Sequence, residues 1–211
     1  MVGNEDGTSE FDPFETGDMV EGSVEEIDRG GEGGMSAFPI EAQYSHELDY
    51  RLCANGPVTL YHRRDLLLDD VDWLIRAGYQ VELFQCVTWT NEDGMHSDLR
   101  QRMSFPSYYG NNFDALNDCL TDLVEHDYGW RSDATGLVLV FEGLDNFANS
   151  SFHAAQTLLD IVARRARGAL VFGERLMCLV QSDHPNIEFA PVGASPVDWN
   201  QAEFLDSNRG L

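Results

Sequence analysis

The sequence predicts an α/β fold in which a small, mostly parallel sheet is packed by helices. Three observations carry that prediction. Strand-like segments at Tyr79–Val87, Leu137–Glu142 and Arg175–Ser182 alternate with segments of helical period. Apolar residues make up 43% of the chain and aromatic ones 11%, enough for a genuine core. The length of 211 residues suits one domain, or one domain with extensions.

Residues 1–36 hold eleven acids against one base, Arg29, and close on the glycine-rich run Arg29–Gly34. Their few apolar side chains, Val20, Val24 and Ile27, show no sustained period and cannot offset an ordering entropy of about 1 to 2 kcal/mol per residue. This stretch reads as a disordered acidic tail, and Met1 and Met35 both stay open as the start. Residues 37–78 read as an N-terminal extension. Within it, Leu48–Cys53 and Val58–His62 flank Asn55-Gly56, a dipeptide that supplies the positive φ angles of a tight turn, so a short hairpin is expected, with Pro57 counting against it. Leu66, Leu67, Val71, Leu74 and Ile75 then recur at helical spacing over Asp65–Ala77. Gly78 stands where a helix end favours glycine, and Asp69, Asp70 and Asp72 form the solvated side.

The main domain is expected over residues 79–183. After the strand Tyr79–Val87 come a short helix near Ser97–Met103, stopped by Pro106, and a second helix over Phe113–His126. Leu137–Glu142 reads as a buried strand, Asn149–Arg167 as a helix closed by Gly168, and Arg175–Ser182 as the last strand of the domain. Pro185, Pro191 and Pro196 break residues 184–211 into an extended C-terminal tail, from which Trp199 and Phe204 can dock on the core.

Charge narrows the function. Asp and Glu number 37 against 13 Lys and Arg, a formal charge of -24, of which -14 falls on residues 37–211. A general polyanion binder needs clustered bases, and an RNA substrate would be repelled, so neither direct nucleic-acid binding nor a ribonuclease activity of the chain's own is expected. No apolar run approaches the roughly 18 residues of a membrane span, and the acidic N-terminus lacks a signal peptide's basic start, so the expected location is the cytoplasm. Cys53, Cys86, Cys119 and Cys178 lie far apart with no C-x-x-C pair and read as reduced thiols. His46, His62, His96, His126, His153 and His184 are scattered. No H-E-x-x-H, G-x-S-x-G, P-loop or dinucleotide pattern occurs, and no cofactor is expected.

One segment stands apart. In Phe113–His126, Phe113, Leu116, Leu120, Leu123 and Val124 share one helical face, while Asp114, Asp118, Thr121, Asp122 and Glu125 share another. Asp114 sits in the first turn, where the helix dipole favours an anion by about 0.3 to 1 kcal/mol. Asp118 and Asp122 have no such reason, since acids four residues apart repel by roughly 0.2 to 0.5 kcal/mol. Their alignment fits either a solvated face or a face that meets a cationic partner. Before the helix, Tyr108 and Tyr109 offer aromatic anchors, Gly110 permits a sharp turn, and Asn111 and Asn112 suit an N-cap.

Tyr108-Tyr109-Gly110-Asn111-Asn112-Phe113-Asp114-Ala115-Leu116-Asn117-Asp118-Cys119-Leu120-Thr121 resembles the signature of the barstar family, intracellular inhibitors of secreted ribonucleases. More loosely the resemblance extends over residues 79–183. It implies a three-stranded parallel sheet packed by helices, and a mechanism in which the second helix and the loop before it plug a ribonuclease active site, acids standing in for RNA phosphate. It implies Asp118 as the principal contact, with Tyr108, Asn112, Asp114 and Thr121 at other contact positions and Tyr109 and Asn111 beside them. Asn117, Asp122 and Leu123 depart from the family's pattern, which has tryptophan, glycine and tryptophan there. The later helix is expected to carry glutamates toward the enzyme. Aligning its end on Gly168 puts Ala163 and Arg167 at those places, and Arg164, Arg165 and Arg167 make that end basic.

The partner expected is thus a basic ribonuclease or nuclease toxin, bound by a monomer through Tyr108, Tyr109, Asn111, Asn112, Asp114, Asn117, Asp118, Thr121 and Asp122. A barstar-like module with a non-nuclease partner is the alternative. A metal-dependent hydrolase built on Asp114, Asp118 and Asp122 is disfavoured, because acids on consecutive turns of one helix converge poorly on one ion.

Overall fold

The computed structural model describes residues 36–45 and 47–211. The acidic stretch ending at Met35, read above as a disordered tail, lies outside the described residues. In chain order the elements are α1 (Ala42–Ser45), α2 (Leu48–Asn55), β1 (Val58–Tyr61), α3 (Arg64–Arg76), β2 (Gln80–Gln85), α4 (Glu92–Arg102), α5 (Phe113–Val124), β3 (Leu137–Glu142), α6 (Leu144–Val171), β4 (Leu176–Gln181) and β5 (Asp198–Trp199), with short 3-10 turns at Cys86–Thr88, Gln201–Glu203 and Asp206–Arg209.

The sheet has the order β2-β3-β4-β1-β5 and every pairing is parallel. It contains five strands where three were expected, because β1 pairs with β4 from Val58 opposite Cys178 to Tyr61 opposite Gln181, and β5 adds to the far side of β1. All residues of β1, β3 and β4 are buried, as parallel strands covered on both faces must be. Their side chains divide between two apolar layers. Leu139, Phe141, Cys178 and Val180 point toward α4, α5 and α6. Val138, Val140, Met177 and Leu179 point toward α2 and α3. Among the described residues no helix is long and apolar enough to cross a membrane.

The expected hairpin does not form. Leu48, Tyr50 and Leu52 alternate as a strand would, but Leu48 and Leu52 also stand four apart, and burying both against the layer under α3 makes the segment a helix. The same face buries Asp49, which accepts hydrogen bonds from Tyr79 Oη at 2.7 Å and Arg175 Nη1 at 3.0 Å. Asn55-Gly56 ends this helix, Gly56 having φ 137°, and Val58–Tyr61 becomes a strand in the interior of the sheet.

Two helices are longer than expected. The first, α4, begins at Glu92, because Asn91 accepts a hydrogen bond from the Gly94 amide at 2.9 Å and Glu92 and Asp93 occupy the first turn. The other, α6, starts at Leu144, kinks at Ser151 (φ -145°), and runs through Gly168 to Val171. Buried Ala163, Ala166 and Ala169 carry one apolar face past the glycine, and the turn that closes the helix is made by Gly173 at φ 86°. The C-terminal residues are likewise integrated. Trp199 lies in β5, and Asn200 donates to the Leu60 carbonyl at 3.2 Å. Phe204, by contrast, is exposed.

Candidate partner-binding face

The loop before α5 turns on Pro106, whose carbonyl accepts from the Tyr109 amide at 3.0 Å. The two tyrosines then part. Tyr109 turns inward, where its ring lies 5.0 Å from Phe105 and its hydroxyl 2.5 Å from His96 Nδ1. Tyr108 turns out and is 75% exposed. Asn111, not Gly110, takes the left-handed conformation, at φ 49°, a place where asparagine is tolerated. Asn112 is the N-cap, its Oδ1 accepting from the Ala115 amide at 2.8 Å.

Leu116, Cys119, Leu120 and Leu123 bury one side of α5, each leucine contributing about 1.5 to 3 kcal/mol on the usual scale for such burial. That anchoring fixes what the other side presents. Asp114 and Asp118 are exposed, Asn117, Thr121 and Asp122 half-buried. Asp122 Oδ2 receives only a long 3.4 Å contact from Tyr128 Oη, which bonds more closely to the Cys119 carbonyl at 2.9 Å. Among the described residues none of Asp114, Asp118 and Asp122 forms a salt bridge. Nor do these acids converge, for among the described residues no group of three His, Cys, Asp or Glu is placed to hold a metal ion. The face is a row of uncompensated carboxylates with one exposed tyrosine at its N-terminal end.

Two residues of the expected set act inward. Tyr109 belongs to the core, and Asn117 Oδ1 accepts two hydrogen bonds from Arg165 of α6. Thr121 Oγ1 is turned to the Asn117 carbonyl at 2.9 Å.

A family described as Barstar (barnase inhibitor) matches residues 67–181, more than half of the chain. The chain belongs to the barstar family. A Bacillus subtilis (strain 168) protein named "Putative ribonuclease inhibitor YrdF" is 51% identical over 35 residues, which is 17% of this chain and 38% of that relative. The match thus spans well under half of the relative's length.

Within this barstar-family chain, Ala163 and Arg167 do not hold the places expected of them, because the helix does not end at Gly168 but runs on to Val171. Ala163 is wholly buried, and Arg167 Nη1 donates to the Gly193 carbonyl. Counted from Gly173, the same spacing falls on Gly168 and Phe172. Neither is acidic. Phe172 is not marked in the sequence as a surface residue, since a helix closed at Gly168 leaves it in a loop; the apolar pair Val171-Phe172 just before Gly173 is the only sign there. Of the three bases expected to make that helix end basic, Arg164 pairs with Asp160 at 2.8 Å, while Arg165 and Arg167 bond to neutral acceptors, Asn117 Oδ1 and the Gly193 carbonyl, and keep their charge.

Proposed function

We propose that this chain inhibits a basic, secreted ribonuclease or nuclease toxin by seating α5 and the Tyr108–Asn112 loop in its active site, with Asp118 foremost among the acids that replace RNA phosphate. The observation that carries this reading is the row Asp114, Asp118, Asp122, held on one helix and forming no salt bridge among the described residues. Uncompensated carboxylates are ready for a partner's Lys and Arg, and the overall acidity steers such a partner in. In this reading the chain is an inhibitor and not an enzyme, works in the cytoplasm as an immunity protein of a bacterial cell, needs no cofactor, acts as a monomer, and touches no nucleic acid itself.

The test is RNA cleavage by a panel of basic microbial ribonucleases, with the wild type or Asp118→Ala added at low and high salt. Stoichiometric inhibition that weakens in the variant and in high salt supports the plug. Failure of the wild type to inhibit any ribonuclease sinks it. That outcome would favour the second reading, a barstar-fold module for a non-nuclease partner, which the absence of acids at Gly168 and Phe172 already supports.

A further inference from the structure

Between α5 and α6 runs a groove of about 270 Å³, walled by Thr121, Val124, Gly168, Ala169 and Phe172. Small-molecule pockets are roughly 300 to 1,000 Å³, so this one suits a side chain better than a cofactor. Its glycine is unexplained by the fold. Gly168 stands inside a helix, where glycine is about 1 kcal/mol worse than alanine, and a Cβ placed there meets no atom within 4 Å. What the missing side chain does is keep the groove open. Phe172, in the groove wall, is 78% exposed, and Val171, its neighbour in the chain, 80%. Single exposed apolar side chains are ordinary, but an exposed aromatic ring that walls an apolar groove has the composition of a binding patch.

Carboxylates surround that apolar floor. Glu125 and Glu174 line the groove, Glu174 with His126 Nε2 at 3.3 Å on one of its oxygens, and Thr121 joins it to the face carrying Asp118 and Asp122. Arg165, the cation in the wall, keeps its charge but is held at Asn117 on the α5 side, so that acids outnumber it there once Asp118 and Asp122 are counted. Charge therefore selects the occupant. A second copy of a chain with net charge -24 would bring carboxylates against carboxylates, whereas an apolar side chain flanked by Lys or Arg satisfies floor and rim together.

We infer that the groove receives an apolar side chain, aromatic or large aliphatic, of the same basic protein partner that the acids of α5 bind, with flanking cations of that partner meeting Glu125 and Glu174. The inference rests on the reading of α5 as the face that meets a basic partner, and it adds a second anchor beside Tyr108.

The experiment titrates Ac-Arg-Phe-Arg-NH2, and Ac-Arg-Gly-Arg-NH2 as control, into the isotope-labelled full chain followed by NMR. The phenylalanine peptide is expected to shift the amides of Thr121, Val124, Ala169 and Phe172, and to bind at least about tenfold more tightly than the control. Gly168→Leu, which fills the groove, and Phe172→Ser, which removes an exposed side chain, should each abolish that preference. Gly168→Ala should raise Tm by about 2 to 4 °C, which establishes that the position tolerates a side chain. Equal binding of the two peptides, shifts confined to other surfaces, or a preference unmoved by Gly168→Leu and Phe172→Ser overturns the inference. So does a ribonuclease whose inhibition depends on Asp118 but is indifferent to both groove variants. Lack of inhibition of every ribonuclease counts against the nuclease reading alone and leaves the groove to the peptide titration.

Discussion

Arg165 reaches from α6 to Asn117 of α5 and donates two hydrogen bonds to the same oxygen, Oδ1, from Nη2 at 2.6 Å and Nε at 3.2 Å. This contact ties together the two helices that wall the groove and fixes a cation, still charged because its acceptor is a neutral amide, at the edge of a face otherwise acidic. Asn117→Ala leaves a half-buried guanidinium without its acceptor. A hydrogen bond to a charged group contributes about 1.5 to 3 kcal/mol, less where solvent can replace the partner, so a loss of about 1 to 2 kcal/mol is expected in urea unfolding. Asn117→Asp, which keeps an acceptor and adds a charge, should be close to neutral. An alanine variant as stable as the wild type would mean that water already serves Arg165.

Adjacent Tyr108 and Tyr109 separate binding from folding. Tyr108 is exposed, so Tyr108→Ala should leave Tm unchanged while weakening any complex formed through α5 by about tenfold or more, as loss of an aromatic anchor does. Tyr109→Phe should do the reverse, lowering stability by about 1 kcal/mol through the lost bond to His96 and changing affinity little. Calorimetry on both variants, with inhibition measured beside it, checks the pair; a Tyr108 variant that unfolds early would place that ring in the fold instead.

The difference between those tyrosines was not legible in the sequence, since neighbouring residues of one type carry no mark of which turns in. His96 and Phe105, brought up by α4 and the loop after it, decide it. Legibility elsewhere followed how nearly one force acted alone. Leu137–Glu142 was readable to the residue, because a five-residue apolar run, Leu137 to Phe141, between polar residues has few alternatives. The two faces of α5 were readable for the same reason, apolar and acidic residues separating cleanly at helical period. Leu48–Asn55 misled because its leucines fit both periods, and a tertiary contact chose between them. Gly168 misled because glycine usually marks a helix end, while here a buried alanine face continued past it. Two-residue β5 has no period at all and exists only because β1 offers an edge.

The enclosed ring of His96 gives stability a pH dependence. Its Nδ1 faces the Tyr109 hydroxyl, Nε2 has no hydrogen-bond partner, and the nearest carboxylate, Glu92, is 3.8 Å away. Burial holds its pKa below the ordinary 6.5, with Glu92 and Asp93 pulling the other way. As the pH falls through 6.5 the unfolded chain takes up a proton that the folded chain refuses. Stability from this residue is therefore full above 6.5 and is lost as the pH falls toward and through the lower folded-state value. Urea unfolding at about pH 7.5 and about pH 5.5 should show a larger loss for the wild type than for His96→Gln, the other groups cancelling in the comparison. Equal losses would mean that Glu92 compensates burial in full.

The residues after β5 hold the fold through Glu203, a carboxylate only 1% exposed. It accepts from the amides of His62 at 2.9 Å and Arg63 at 2.8 Å, and from Asn200 Nδ2. Those amides lie where β1 passes into α3, a helix start whose N-cap, Arg63, makes no side-chain cap of its own. An acid delivered from 140 residues away thus satisfies the N-cap amide as the glutamate of a capping box does, and its charge also meets the positive end of the helix dipole. Arg209 then locks the loop by donating to the Glu203 carbonyl. Glu203→Ala strips two backbone donors of their acceptor and is expected to cost about 2 to 3 kcal/mol in urea unfolding. Glu203→Gln, which keeps one oxygen, should recover roughly half of that. Because α3 covers the sheet face opposite α5, either variant that still folds should inhibit or bind as the wild type does. Loss of binding at unchanged stability would instead make the C-terminal segment part of the partner surface.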